Sequence, residues 1–293
     1  VLILGAYFIL TGDLTIGMLL AFQGFMTSFM TPVNSVVTAS QQLIEMRSQM
    51  ESIEDVMKYP EDKRDTDGTV AEGKLRGEVE LRNVTFGYNP LQPPLIQDFN
   101  LHLMPGKSVA FVGSSGCGKS TLAKLISGLY KPWSGEILFD GRPIDTISKE
   151  EMTNSVAVVD QNVVLFDDTV AQNIKMWDQS IEDFTMVMAC NDAQIRKDIV
   201  SRPEGFATRL VKGGQNFSGG QRQRMEIATA LAKEPVVLIM DEATSALDPT
   251  TEEQVMEAVR MMGATQIIVA HRLATIRDCD EIIVMDQGKI MQR

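Results

Sequence analysis

The first sixty residues have a hydrophobic pattern that the rest of the chain lacks. Residues 14–44 contain no charged side chain, and as a helix this run would be about 46 Å long, against about 30 Å for the hydrocarbon core of a bilayer. Residues 1–10 form a shorter apolar stretch, and residues 11–13 (TGD) are typical of a turn. The pattern predicts a transmembrane hairpin whose first helix is incomplete, so that the chain begins inside a larger membrane domain. A buried core helix is the alternative; a signal peptide is disfavoured because no basic segment leads the run.

Charged residues enter the pattern after residue 44, while apolar positions keep helical spacing to residue 57. We therefore expect the helix to leave the membrane with one face still packed. The C-terminal side is expected to be cytoplasmic, because basic residues cluster there and are absent from the loop before the helix: Arg47, Lys58, Lys63 and Arg64. We assign 1–60 to the end of a transmembrane domain, 61–74 to a polar linker, and 75–293 to a soluble domain.

In the soluble part, short apolar runs alternate with helical patterns, which is typical of an α/β domain. Strands are expected at residues 79–86, 95–103, 109–112, 136–139, 156–159, 236–240, 266–270 and 281–285. Helices are expected at residues 119–128, 181–190, 219–233 and 251–262.

Composition narrows the classes of partner. The chain has 39 acidic and 27 basic side chains and a net charge of −12, which argues against a nucleic-acid-binding surface, usually basic. The three cysteines are widely spaced and odd in number, so the sequence indicates neither a disulfide framework nor a zinc site.

Residues 108–121 read SVAFVGSSGCGKST, an apolar strand pattern followed by a glycine-rich loop and a helix start. They match the phosphate-binding pattern G-x-x-x-x-G-K-[ST]. Glycines let backbone N–H groups turn toward a polyphosphate, and a helix N-terminus attracts the same anion. Lys119 is expected to reach the β- and γ-phosphates and Ser120 to bind Mg²⁺. The predicted nucleotide-contacting residues are Gly113, Ser114, Ser115, Gly116, Cys117, Gly118, Lys119, Ser120 and Thr121.

Two further motifs follow. Residues 236–242 read VVLIMDE, a buried strand that ends in two carboxylates. Strand ends of open parallel sheets face the ligand crevice, so Asp241 can hold Mg²⁺ and Glu242 can polarise a water for attack on the γ-phosphate. Residues 217–221 read FSGGQ and precede a strong helix-forming run, which predicts a second anion site at a helix start.

The order of these motifs resembles that of ATP-binding cassette (ABC) ATPases, a family of α/β P-loop NTPases. The SGGQ run at Ser218, Gly219, Gly220 and Gln221 is similar to the family signature. In that family the signature of one domain closes over ATP and Mg²⁺ held by a second domain, head to tail. The resemblance covers residues 76–293, and Phe217 departs from it where leucine is usual.

The remaining site residues are implied by this resemblance alone. Tyr88 resembles the aromatic residue that stacks on adenine, and Gln161 the glutamine that touches Mg²⁺ and the attacking water. Asp248 lies in the SALD sequence that resembles the dimer-crossing loop, and His271 resembles the histidine at the γ-phosphate. The implied catalytic residues are Glu242, His271 and Gln161, and the implied Mg²⁺ ligands are Ser120, Gln161 and Asp241.

The N-terminal segment narrows the resemblance to exporters that fuse a membrane domain to the ATPase. Residues 165–174, LFDDTVAQNI, resemble the exporter segment that meets the membrane helices. Four stretches of the ATPase half look most like NHLM-type bacteriocin-system transporters, which export ribosomal peptides: residues 87–101, 131–141, 213–231 and 271–289. The resemblance implies a multi-pass cell-membrane protein with a cytoplasmic ATPase, a second half-transporter (a homodimer rather than a heterodimer), lipid contacts, a peptide substrate and no nucleic acid. The alternatives are an exporter of lipids or drugs, a soluble ABC ATPase and a nucleotide-gated module without turnover.

Overall fold

The computed structural model describes residues 2–59, 73–270 and 272–293. It divides into two units, Val1–Asp62 and Lys63–Arg293. Most of the expected linker, 61–74, lies outside the described residues, so the three-part domain division stays a prediction.

The first unit contains two helices, α1 (Leu2–Leu10) and α2 (Ile16–Met57). Thr15 caps α2, since its hydroxyl accepts from the N–H of Met18 at 3.3 Å. Within the described residues, α2 is the helix that is long and apolar enough to cross a membrane. None of its residues is buried, so the face that we expected to be packed has no cover within this unit.

Hydroxyl side chains occur throughout the uncharged part of α2, and most of them hydrogen-bond within the helix. Five of them donate to the carbonyl four residues earlier, which allows a polar group to sit in apolar surroundings without a water partner: Thr27, Thr31, Ser35, Thr38 and Ser40. The absence of charge and this internal pairing are both compatible with a membrane span.

The second unit begins with an antiparallel sheet whose strand order is β2-β1-β4-β5. Its strands are β1 (Val79–Phe86), β2 (Ile96–Leu103), β4 (Ser134–Phe139) and β5 (Arg142–Pro143). Strand β1 pairs with β2 on one side and β4 on the other. Buried and more exposed residues broadly alternate along β1, as expected when one face of a sheet covers the core.

A second sheet forms the centre of the unit, with the order β10-β9-β3-β8-β7-β6. Its strands are β3 (Ser108–Gly113), β6 (Val156–Val159), β7 (Val237–Asp241), β8 (Thr265–Val269), β9 (Glu281–Asp286) and β10 (Lys289–Gln292). Every neighbouring pair is parallel except β9 and β10. Every residue of β7 and β8 is buried, because a parallel sheet is covered on both faces.

The helices of this unit flank the central sheet. They are α3 (Lys119–Ile126), α4 (Lys149–Ser155), α5 (Val170–Lys175), α6 (Asp183–Asp192), α7 (Arg196–Val200), α8 (Gly219–Ala232), α9 (Pro249–Met261) and α10 (Leu273–Ile276). Two buried clusters lie on opposite faces of the sheet, because alternate side chains of a strand point in opposite directions. Leu238 and Met240 join the cluster around α8, whereas Ile239 joins the cluster around α3 and the antiparallel sheet.

The expected alternation of strands and helices is confirmed. All eight expected strands are present, with bounds that differ by no more than two residues, and the four expected helices are also present. Strands β5 and β10 and helices α4, α5, α7 and α10 were not expected. These elements have two to seven residues each, too short to show a period in the sequence.

Candidate nucleotide-binding site

The phosphate loop connects β3 to α3, and two of its glycines are required by close packing. Gly113 has φ 151°, and a Cβ there would lie 2.1 Å from the carbonyl oxygen of Met285. Gly118 has φ 107°, and a Cβ there would lie 2.4 Å from the Cδ1 atom of Ile96. The loop can take this shape only because both positions lack side chains. Its path ends at the N-terminus of α3, an anion-attracting position.

Lys119 is drawn into the loop. Its side chain donates to the carbonyls of Gly113 at 3.0 Å and Ser114 at 2.9 Å, and the residue is only 5% exposed. The ammonium group is therefore held against the backbone of the same loop whose glycines were expected to surround a phosphate. A cation placed there adds to the positive end of α3, which suits the site to a polyphosphate.

Tyr88 lies beside the same helix. Its hydroxyl and that of Thr121 are 3.0 Å apart, within hydrogen-bond distance. The ring makes edge-to-face contacts with Phe86 and Tyr130, with centroids 5.3 and 5.5 Å away. Tyr88 nevertheless remains 58% exposed, so an aromatic surface next to the phosphate loop is open to a planar ligand.

Ser120 and Asp241 form the oxygen-rich part of the site. The Ser120 hydroxyl donates to the Asp241 carboxylate at 2.9 Å. Burial raises the pKa of Asp241, the Ser120 hydrogen bond opposes that shift, and the charges of Asp160 and Glu242 add to it. A buried carboxylate that faces like charges gains from a nearby cation. Hydroxyl and carboxylate oxygens are also the ligands that Mg²⁺ prefers, so these residues fit the implied metal.

Glu242 follows Asp241 directly and is turned away from the strand by an unusual backbone. Its φ is 51°, and its N–H donates to the carbonyl of Val269 at 2.9 Å. Its carboxylate accepts from the side-chain amide of Gln161 at 2.9 Å. Positive φ in a non-glycine residue stores strain and is frequent at functional sites. The structure therefore brings the two residues together at the carboxyl edge of the central sheet.

The signature residues form the capped start of α8. The Ser218 hydroxyl accepts from the N–H of Gln221 at 3.2 Å, and the Gln221 side chain accepts from the N–H of Ser218 at 3.0 Å. This reciprocal pair is a capping box. A Cβ added at Gly219 would meet nothing within 4 Å. Within the described part of the chain, no hydrogen bond or ion pair joins residues 218–221 to residues 113–121.

Of the two remaining implied residues, Asp248 caps α9 and accepts from the N–H of Thr251 at 3.0 Å. His271 lies outside the described residues, so its implied role stays a prediction. The structure thus places Tyr88 and Asp241 within hydrogen-bond distance of phosphate-loop residues and pairs Gln161 with Glu242. Among the described residues, no hydrogen bond or ion pair joins the signature to that loop.

Arg272 and Glu252 are site-associated residues that the sequence reasoning missed. Glu252 is buried and accepts from Arg272 at 2.8 Å. The same guanidinium donates to the carbonyls of Leu247 at 2.9 Å and Ser245 at 3.0 Å. The pair therefore fixes the loop before Asp248. The charge of Arg272, directly after His271, could have drawn attention to this position. Its partner Glu252 lies 20 positions earlier in the sequence, so the pairing itself is not visible there.

Gln223 is a second missed residue. It lies on α8 within the run that follows the signature, is buried, and bonds to the backbone of the loop between Glu242 and Ala246. The sequence analysis treated its surroundings only as a strong helix-forming run, which gave no reason to select it.

Comparison with known proteins identifies the family. Residues 96–245 match the family model described as ABC transporter. The chain belongs to the ABC transporter family. It is 36% identical over 290 residues to the putative multidrug export ATP-binding/permease protein YgaD of Bacillus subtilis, covering 98% of this chain and 50% of that protein. It is also 36% identical over 292 residues to the toxin RTX-I translocation ATP-binding protein of Actinobacillus pleuropneumoniae, covering 99% and 41%.

A solved structure supports the same assignment. A bacterial Atm1-family ABC exporter with ATP bound matches with a TM-score of 0.80 and 32% identity, over 96% of this chain and 49% of that chain. The chain therefore spans no more than about half the length of these relatives. The expected fold class, an α/β P-loop ABC ATPase domain preceded by an α-helical segment, is confirmed.

Family membership also confirms the general expectations about ATPase activity and cellular location. The chain carries an ABC transporter ATP-binding domain, which binds ATP and implies ATPase activity. The matched relatives are export proteins, so the family places this domain on the cytoplasmic side of a membrane. The narrower resemblance to bacteriocin-system transporters stays a prediction.

Glu226, on α8, is a titratable group beside Asp160, the residue that precedes Gln161. Its Oε2 atom is enclosed by protein and has no hydrogen-bond partner among the described residues. Burial raises the pKa of Glu226 to about 7; a hydrogen bond from the backbone of Asp160 opposes that shift, and the charge of Asp160 adds to it.

This shift predicts a pH-dependent stability. Because the folded pKa lies above the ordinary value of 4.5, the stabilisation that Glu226 contributes is complete below pH 4.5 and is lost as the pH rises through about 7. Glu226→Gln cannot ionise, so over that window its free energy of unfolding should fall less than that of the wild type. Denaturant unfolding at a series of pH values measures this. The exposed Glu257→Gln is the control, and parallel profiles for wild type and Glu226→Gln would contradict the prediction.

Proposed function

We propose that this chain is the ATP-hydrolysing part of an ABC half-transporter, which couples ATP binding and hydrolysis at a head-to-tail dimer interface to export across the cytoplasmic membrane. The observation that carries the proposal is the pairing at one sheet edge of Ser120 with Asp241 and of Gln161 with Glu242. A site for a divalent cation and a carboxylate base are then adjacent, which is the arrangement that phosphoryl transfer to water requires.

Each residue of the site has a distinct role in this proposal. The loop from Gly113 to Thr121 binds the phosphates, and Tyr88 stacks on the base. Ser120, Asp241 and Gln161 would hold Mg²⁺, whose charge would offset the negative charge of the phosphates. Glu242 accepts a proton from the attacking water as the general base, and Gln161 keeps that carboxylate in place. His271 is assigned to the γ-phosphate by the family resemblance.

The dimer is proposed because one chain supplies two anion-binding helix starts that are not joined. Gly219 and Gly220 offer backbone N–H groups, and Ser218 a hydroxyl, at the N-terminus of α8, with open space at Gly219. No hydrogen bond or ion pair connects them, within the described residues, to their own phosphate loop. A second copy that presents its signature to that loop would complete both sites, with Asp248 of each chain in the crossing loop.

The proposed substrate is a bacteriocin-like peptide, and the proposed partner is an identical half-transporter. The peptide proposal rests on the resemblance of the ATPase half to bacteriocin-system transporters. A relative of similar identity is named for toxin translocation and another for multidrug export, so an exporter of lipids or hydrophobic drugs is the alternative. The uncharged run over residues 16–44 of α2 supports a membrane protein over a soluble ABC ATPase.

The role of Glu242 is tested by Glu242→Gln in the full-length transporter. We expect nucleotide binding to persist and the hydrolysis rate to fall by roughly 10² to 10⁴, the range for removal of a general base. Phosphate release and nucleotide binding are measured on the same preparation. Glu253→Gln, an exposed change on α9, is the matched control. Near-normal turnover in Glu242→Gln would remove Glu242 from its assigned role.

The head-to-tail arrangement is tested by mixing two inactive chains. Ser218→Arg should abolish hydrolysis in its homodimer because the larger side chain blocks the partner's nucleotide, and Lys119→Ala should do so by weakening phosphate binding. In a heterodimer of the two, the intact phosphate loop of the Ser218→Arg chain faces the intact signature of the Lys119→Ala chain. The other site combines both defects, so partial activity should return. Differently tagged chains purified in two steps supply the heterodimer. Its complete inactivity would count against a site shared between chains, or show that both sites must work.

The substrate is tested by uptake into inside-out vesicles that contain the full-length protein. A leader-bearing peptide is expected to accumulate in the presence of ATP and to do so no longer in Glu242→Gln vesicles. A hydrophobic dye is measured in parallel. Dye uptake without peptide uptake would reject the peptide proposal while leaving the ATPase assignment intact.

A further inference from the structure

The side chain of Gln223 is at the centre of a small buried network on α8. The residue is 2% exposed. Its amide nitrogen lies 3.3 Å from both the carbonyl oxygen of Glu242 and the hydroxyl of Ser245, and its amide oxygen accepts from the N–H of Ala246 at 2.8 Å. Both ends of one amide group are therefore used, and each partner belongs to the segment that follows β7.

This network holds the backbone of Glu242 in its strained conformation. The carbonyl of Glu242 also accepts from the N–H of Ser245 at 3.1 Å, and its own N–H is bonded to Val269. The peptide groups on both sides of the residue are thus fixed while φ is 51°. Residues in sparsely populated backbone regions persist only when their surroundings determine them. Gln223 supplies one of those determinants from a different element.

The same network touches the signature. Positions three apart lie on one face of a helix, so Gly220 faces the same loop as Gln223. A Cβ at Gly220 would lie 3.1 Å from the carbonyl oxygen of Ala246. The first turns of α8 are therefore packed against the 242–246 backbone by a close glycine contact and a buried amide. If the start of α8 moves, the 242–246 backbone must move with it, or the hydrogen bonds to Gln223 must break.

We propose that Gln223 is a positioning residue that couples the signature helix α8 to the Glu242 carboxylate and the 245–248 loop of the same chain. The inference rests on the proposed function, since it assumes that Glu242 is the general base. A partner nucleotide that binds at residues 218–221 would thereby influence the base that serves the other site. Glutamine suits this task because the network needs a donor toward Glu242 and Ser245 and an acceptor toward Ala246 in one neutral side chain.

The test is Gln223→Met in the full-length transporter, which keeps the length of the side chain and removes its hydrogen bonds. We expect kcat for ATP hydrolysis to fall by roughly 10-fold to 100-fold, as for loss of a buried hydrogen-bonding group, with little change in KM. Gln266→Met is the matched control. Gln266 is also buried, but its side chain bonds to Val259 on α9, away from the site. Equal effects of the two substitutions on kcat would overturn the inference.

A double variant separates positioning from general damage. If Gln223 acts through Glu242, Gln223→Met should add no further loss to the residual turnover of Glu242→Gln, because the group that it positions is already disabled. A multiplied loss would mean an independent structural effect and would overturn the inference. Denaturant unfolding reports whether each variant is folded. If Gln223→Met does not fold, Gln223→Glu keeps the acceptor for Ala246, lacks the amide donor and is judged by the same two criteria.

The two proposals fail in different ways. Wild-type hydrolysis that is insensitive to Glu242→Gln would reject the proposed base, and with it the premise of the coupling. Hydrolysis that depends on Glu242 but responds to Gln223→Met no more than to Gln266→Met would leave the proposed function standing and reject the coupling alone.

Discussion

The site depends on the parallel alignment of β3, β8 and β7, which places their carboxyl ends at one edge of the central sheet. Ser120 and Asp241 are 121 positions apart in the sequence, yet their side chains meet at 2.9 Å across the end of β8. Parallel pairing is the cause, since it brings the loop after β3 and the carboxylates after β7 to the same crevice. Without this alignment the phosphate loop and the carboxylate that we propose as a metal ligand would be separate motifs with no shared ligand.

The sequence predicted the parts of this arrangement whose signals are local. The phosphate loop is encoded by glycine spacing, and the structure shows why: a Cβ at Gly113 would meet a carbonyl of β9 at 2.1 Å. Strand β7 was recognised because it is continuously apolar, as a strand covered on both faces must be. The residues that tie the site together were less visible. Arg272 and Gln223 bond mainly to backbone carbonyls and N–H groups of a distant loop, and backbone partners leave no trace in side-chain patterns.

The short elements were missed for a related reason. Helix α5 has six residues and depends on its Thr169 cap and on packing of Val170 and Ile174 into the core. Isolated helices of this length do not form on their own, so their position is decided by the tertiary structure. Strand β10 is likewise formed by pairing with β9 alone. Neither element carries one of the implied catalytic residues, so missing them in the sequence did not affect the prediction of the site.

The separation of the two helix starts is the feature that connects the fold to a cycle of binding and release. Helix α3 carries the phosphate loop and α8 carries the signature, and each presents an N-terminus to which an anion is attracted. If both faced one pocket in one chain, nucleotide binding would be a property of the monomer and would move nothing. Because they are not joined within the described part of the chain, the proposed dimer would complete the binding of a nucleotide held by one copy only when a second copy approaches. In that proposal, binding energy is converted into movement between two chains, and hydrolysis, which divides the ligand, releases them.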